Sequence, residues 1–300
     1  MKWRKFARSA LAALVAFACS AALAANLGGF TSTPSNLYDL GYNPSAQAWY
    51  TDTSGKTSVS CSITGGQSTL VLLVVSQSIP ANSAPTAYTP SNATAHALSV
   101  IDGNCYRATD PLLGGTGQPP SGATFGGSYV SKLADKIITD GKYQRVIVVV
   151  SSIGGTSAAD WAPTGPWNAH LRTALLRIRQ KAYVGNADVT YRVLYDQGTT
   201  DAVNGTSQAN WQASFQQIVG TINGFGLGAP KICVSIDTMA TNATNATIQA
   251  AQQAVVDNVQ IFQAGNLDTL TGGNRQADGT HLSDTGTTNA AALNEPCVAP

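Results

Sequence analysis

Charge is scarce in this chain. Asp, Glu, Lys and Arg together make 11% of its 300 residues, where an ordinary soluble protein carries about 25%. Ser, Thr, Asn, Gln and Gly fill the gap, a surface chemistry common in exported proteins that meet neutral polymers. The 17 basic and 16 acidic side chains nearly cancel, so the basic excess that holds nucleic acid or an anionic membrane surface is missing. Long apolar runs are missing too: no stretch approaches the ~20 residues of a membrane-spanning helix. Histidine occurs only as His96, His170 and His281, and the cysteines lie far too wide apart for a zinc site of the CxxC type. No glycine-rich phosphate loop occurs. We therefore expect no metal, no cofactor, no nucleic-acid partner and no membrane span.

What is present begins with a basic and then apolar start. Lys2, Arg4, Lys5 and Arg8 precede an apolar run over residues 10–18, and Ala22-Leu23-Ala24 supplies small residues for cleavage. This is the pattern of a secretory signal peptide. Residues 1–24 are expected to be a leader cut near Ala24, and the protein to be secreted or periplasmic. The leader holds four of the 17 basic residues and no acidic one, which leaves 13 against 16 and a net charge of −3. Four cysteines remain: Cys61, Cys105, Cys233 and Cys297. In an oxidising compartment an even set predicts two disulfides, with three connectivities open. For Cys233, inside an apolar strand, a buried free thiol is the competing reading.

Residues 25–300 show no repeat and no low-complexity linker, and are expected to form one domain. Residues 25–66 read as an irregular elaboration with edge strands, residues 57–61 alternating like a short one. The chain is organised around residues 70–80, Leu-Val-Leu-Leu-Val-Val-Ser-Gln-Ser-Ile-Pro. Six consecutive apolar residues suit a strand buried on both faces of a parallel sheet, and Pro80 cannot donate to a ladder. Residues 79–122 are Pro- and Gly-rich, and so long a loop is either functional or a disguised set of short elements. Further strands are expected over residues 145–150, 193–195 and 232–236. Helical spacing joins Tyr129 to Ile138, Trp167 to Ile178 and Trp211 to Ile222. It also joins Ile248, Ala251, Val255, Val259 and Phe262, and a short helix should end the chain. Strands separated by helices of this length demand right-handed crossovers and a parallel sheet covered on both faces.

Open sheets of this kind build their sites past the carboxyl ends of the strands. Ser78, Gly154-Gly155 and Gln197 all fall there. Ser78 is the candidate nucleophile. Its partner is His281 in Asp278-Gly279-Thr280-His281. A carboxylate three residues before an imidazole can fold back in one turn to accept the ring Nδ1–H, leaving Nε2 free to take a proton from a serine. For His170, beside Trp167 and Leu171, a packing role is expected. Asp201 reads as a loop or capping carboxylate.

With these blocks in view, the chain resembles the SGNH-hydrolase superfamily, in its sialate O-acetylesterase-like branch that contains carbohydrate esterase family six. The resemblance spans residues 70–292. Ser76-Gln77-Ser78-Ile79 stands where the family has Gly-Gln-Ser-Asn, and residues 121–129, with Gly126, look like its glycine block. Ile153-Gly154-Gly155-Thr156-Ser157 followed by Trp161 is close to its Gly-Gly-Thr-Ser…Trp segment. Asp196-Gln197-Gly198-Thr199-Thr200-Asp201 is similar to its His/Tyr-Gln-Gly-Glu-Ser-Asp block, and Asp278-Gly279-Thr280-His281-Leu282 to its final Asp-x-x-His-Leu.

The resemblance implies a three-layer α/β/α sandwich, flavodoxin-like in topology, and a serine esterase that takes O-acetyl groups from a carbohydrate. Ser78, His281 and Asp278 would be the triad, with an oxyanion hole from the Ser78 and Gly126 N–H groups and the Gln197 amide. Gln77, Gly155, Thr156, Thr199 and Trp161 are possible substrate contacts, although Trp161 reads equally as a core aromatic. Ser76, Ile79 and Thr199 depart from the family's Gly, Asn and Glu. They motivate a rival reading, a carbohydrate-binding or adhesive protein that keeps the fold without turnover. A general GDSL-type lipase is a third, weaker reading. The α/β-hydrolase alternative is disfavoured, because Ser76 and Pro80 stand where its Gly-x-Ser-x-Gly elbow requires glycines.

Overall fold

The structure, a computed structural model, describes residues 53–115, 126–181, 183 and 185–300. The expected leader and residues 25–52 lie outside these, as do residues 121–125 of the glycine block. Eight strands form one sheet: β1 (Ser58–Val59), β2 (Thr69–Ser76), β3 (Ala95–Leu98), β4 (Cys105–Arg107), β5 (Arg145–Ser152), β6 (Val189–Asp196), β7 (Lys231–Ile236) and β8 (Ile261–Asn266). Their order is β1-β4-β3-β5-β2-β6-β7-β8. Among the described residues the α-helices are α1 (Tyr129–Thr139), α2 (Ala158–Trp161), α3 (Asn168–Gln180), α4 (Thr199–Val203), α5 (Gln208–Gly224), α6 (Ala246–Ala254) and α7 (Asp284–Val298).

The apolar run after Thr69 becomes the central strand because it can bury both faces. Every residue of β2 pairs in parallel with β5 on one side and β6 on the other, from Thr69 opposite Arg145 and Val189 to Ser76 opposite Ser152 and Asp196. Alternate side chains enter two cores. Val71, Leu73 and Val75 pack with Leu171, Leu175 and Ile178 of α3 and Trp211, Phe215 and Ile218 of α5. Leu70, Leu72 and Val74 pack with Val130, Leu133 and Ile137 of α1 and Ala290, Ala291 and Val298 of α7. Each such side chain contributes about 1.5–3 kcal/mol by leaving water. The result is the expected three-layer α/β/α sandwich.

Two features differ from the sequence reading. The sheet is parallel through β3-β5-β2-β6-β7-β8, but β4 runs antiparallel to β1 and β3, so residues 79–122 do conceal short strands. The helix expected to run on to Phe262 ends at Ala254, and Phe262 lies in edge strand β8. The cause is local. Asp257 Oδ1 accepts the N–H groups of Val259, Gln260 and Ile261 at 2.8–2.9 Å, and Asn258 takes φ 58°. That turn redirects the chain, leaving Val259 exposed.

Two disulfides form, Cys61–Cys105 and Cys233–Cys297. The first ties the segment just after β1 to β4 and the second ties β7 to α7. Among the described residues, no helix is long and apolar enough to cross a membrane.

Candidate active site

Ser78 sits in a tight turn just past the end of β2, with the Ala81 N–H closing onto its carbonyl at 2.9 Å. The turn is held from below on both sides. The Ser76 hydroxyl donates to the Asp196 carbonyl. The Ser128 hydroxyl donates to the Pro80 carbonyl at 2.6 Å and accepts the Val130 N–H at 3.1 Å, so one side chain caps α1 and fastens the Ser78 turn to it. Ile79 is sealed in the core. Ser78 itself is 9% exposed.

The histidine arrives from the other end of the chain. Nε2 of His281 lies 3.0 Å from Ser78 Oγ, and its Nδ1 lies 2.6 Å from Asp278 Oδ2. The other carboxylate oxygen accepts the N–H groups of Thr280 at 2.8 Å and His281 at 3.0 Å. Burial alone would raise the Asp278 carboxyl, but the bonds from the His281 ring and these two N–H groups outweigh it and hold the group below its usual range. An ionised Asp278 keeps the ring proton on Nδ1 and turns the Nε2 lone pair to Ser78. The loop can fold this tightly because residue 279 is glycine. It takes φ +64°, and a Cβ there would stand 2.3 Å from Asn242 Nδ2.

The arrangement is braced by residues that sequence reasoning missed. Nε2 of Gln276 donates to Ser83 O at 2.8 Å and to Leu282 O at 2.9 Å. The Arg275 guanidinium donates to the carbonyls of Leu267, Leu270 and Thr280. Neither residue carries a motif, since the acceptors are backbone carbonyls brought near by folding. Beside the Ser78 turn lie two buried carboxyl groups, Asp196 and Asp237, with the Tyr129 hydroxyl on Asp196 Oδ2 and the Gln77 amide on Asp237 Oδ2 at 3.1 Å.

The other expected site residues are placed differently. Trp161 is completely buried and donates its Nε1–H to Thr156 Oγ1 at 3.0 Å, so it belongs to the core and cannot stack on a sugar. Gln77 is also fully buried, and Thr156 and Thr199 nearly so. Their side chains pack inside the fold. Gly155 alone of these five is exposed, at φ +76°. Gln197 is buried with its amide donating to Thr156 O. The Gly126 N–H donates to Ala84 O at 3.2 Å, an acceptor it shares with the Gly127 N–H at 3.0 Å.

Asp201 is a cap, taking the Ala158 N–H at 2.9 Å. His170 is packed edge-on against Trp161 and Trp167 with Nδ1 2.7 Å from Ser151 Oγ, and burial pushes its ring down to about 4. No group of three metal-ligating side chains occurs among the described residues.

The family model for carbohydrate esterase, sialic acid-specific acetylesterase matches residues 81–293. The match contains Gly126, Gln197, Asp278 and His281 and starts just after Ser78. Among solved structures, a protein from Arabidopsis thaliana aligns over 77% of this chain and 98% of its own, at 12% identity and a TM-score of 0.57. A carbohydrate esterase family 3 protein from Talaromyces cellulolyticus aligns over 76% and 95%, at 12% identity and a TM-score of 0.44. At such identities the likeness is one of fold, and only the first is close enough to bear on it. No curated protein matches.

Proposed function

The chain belongs to the carbohydrate esterase, sialic acid-specific acetylesterase family of SGNH hydrolases, and from that premise we propose that it removes O-acetyl groups from a carbohydrate through Ser78, His281 and Asp278. The supporting observation is the relay itself, Ser78 Oγ to Nε2 at 3.0 Å and Nδ1 to Asp278 at 2.6 Å.

The chemistry follows from those contacts. Ser78 Oγ attacks the acetyl carbon as its proton passes to Nε2. The tetrahedral intermediate collapses, the sugar oxygen leaves and takes that proton. Water then attacks the acetyl-enzyme, giving a proton to Nε2, and acetate departs as the proton returns to Ser78. The Ser78 N–H serves the oxyanion. Gly126 joins it by releasing Ala84 O, which keeps its bond from the Gly127 N–H. Such donors are worth about 3–4 kcal/mol each in the transition state.

The three departures from the family pattern do not block this. The Ser76 hydroxyl is spent on the Asp196 carbonyl, Ile79 fills the core, and Asp278 orients the ring without an acid at Thr199. These observations favour turnover over the binding-protein reading. Two disulfides agree with an oxidising compartment, and we place the enzyme outside the cytoplasm as one domain over residues 25–300. The test is acetate release from a panel of O-acetylated sugars against longer-chain acyl esters. Acetylated sugars should be the better substrates, and a preference for long acyl chains would refute the carbohydrate assignment.

A further inference from the structure

We propose that Asp196 and Asp237 share a single proton and act, through Gln77, as positioning residues for the Ser78 turn, an inference that rests on the role of Ser78 given above. The two carboxyl groups stand at the ends of neighbouring strands β6 and β7, each completely buried. One oxygen of each is occupied, Asp196 Oδ2 by the Tyr129 hydroxyl and Asp237 Oδ2 by the Gln77 amide. The remaining oxygens, Oδ1 of both, meet no donor group. The two carboxyl groups lie at adjacent ends of the parallel pair β6 and β7, and the charge of Asp237 reaches Asp196. Carboxylates have only acceptors, so the two orphaned oxygens can satisfy one another only with a proton between them. Two bare anions this close and dry would repel strongly.

The pair grips the nucleophile turn at adjacent residues. Gln77, next to Ser78, is held at its nitrogen by Asp237 and at its oxygen by the Thr200 N–H at 3.0 Å. Ser76 is held by the Asp196 carbonyl. The neighbours do not cancel the second charge. The Arg275 guanidinium attracts it but is spent on three carbonyls. Asp268 faces Asp237 and repels it, its oxygens already taken by Thr238, Met239 and Gln249. Tyr129 comes from α1, and from α6 the neutral Gln252 donates to the carbonyls of Gln197 and Asp237. Burial first, then the partner's charge, pushes Asp196 well above the usual carboxylate range, and burial raises Asp237 as well.

The sign follows. Both groups are raised on folding, so the stabilising proton is fully held below the unfolded value near ~3.9. Stability is lost as pH climbs through the pair's own titration. Above it, repulsion opens the strand ends and shifts Gln77, and Ser78 with it.

The test uses the full chain and a fluorophosphonate that labels serine nucleophiles, with melting temperature read from pH 5 to 10. Asp196→Asn supplies a fixed N–H toward Asp237 in place of the titrating proton and an oxygen for Tyr129. Wild-type labelling of Ser78 should fall about tenfold on the alkaline side, with the melting temperature falling alongside. Asp196→Asn should show neither fall. Asp196→Ala should label about ten- to a hundredfold more slowly at neutral pH, the range expected for a misplaced reactive group. An alkaline fall kept intact in Asp196→Asn, or wild-type labelling by Asp196→Ala, would overturn the proposal. If the wild type were not labelled at Ser78, the esterase reading itself would fail and Gln77 would position nothing reactive. Matching melting curves for wild type and Asp196→Asn would separately refute the shared proton.

Discussion

Gln276 reaches across 193 positions of sequence to donate to the Ser83 carbonyl at 2.8 Å, and the same nitrogen donates to Leu282 O. One carboxamide therefore ties the loop after Ser78 to the loop that carries His281. This bridge is one constraint on the distance between Ser78 and His281. Gln276→Ala should lower kcat on a short-chain ester about tenfold with KM little changed, because it loosens the reacting pair without touching substrate. Steady-state kinetics decides it. A change confined to KM would show that Gln276 serves binding instead.

The disulfides give a second expectation. Cys61, Cys105, Cys233 and Cys297 should resist alkylation in the native protein, as read by mass spectrometry without reductant. Each bridge lost on reduction should lower stability by about 2–4 kcal/mol, seen as a drop in melting temperature. Two or more alkylated sites among the four before reduction would contradict the pairing.

Acid should act on His170. Burial pushes its ring down to about 4, whereas an unfolded histidine titrates near ~6.5. The unfolded chain thus binds the extra proton first. His170 favours the fold fully above ~6.5, and that contribution disappears as pH falls toward 4. His96, also lowered to about 4 by burial and then by Arg145, adds in the same direction. Melting temperature should fall between pH 7 and 4.5, and His170→Asn should flatten that fall. An unaltered slope in the variant would assign the acid sensitivity elsewhere.

These effects also mark where the sequence was readable. The central strand was plain because six apolar residues in a row have few other uses, and Asp278 with His281 because acid and imidazole lie within one turn. The strand at residues 261–266 was hidden because Val255, Val259 and Phe262 keep a helical spacing while Asp257 turns the backbone between them. Trp161 and Gln197 carry site-like identities, and only tertiary packing shows the Trp161 Nε1–H and the Gln197 amide N–H directed at Thr156. The Asp196–Asp237 pair was invisible for the same reason. The two residues are 41 apart in sequence and meet only because β6 and β7 are neighbours in the sheet.

The central claim is that Ser78 is the nucleophile of an esterase, and one measurement reaches it directly: hydrolysis of a short-chain acetyl ester by the full-length protein and by Ser78→Ala from pH 5 to 9. The wild type should turn over, because the His281 Nε2 that faces Ser78 Oγ at 3.0 Å can accept the serine proton. Ser78→Ala should retain less than about a thousandth of the wild-type kcat, the scale on which removal of a triad nucleophile acts. Equal rates for the two proteins at every pH would contradict the account.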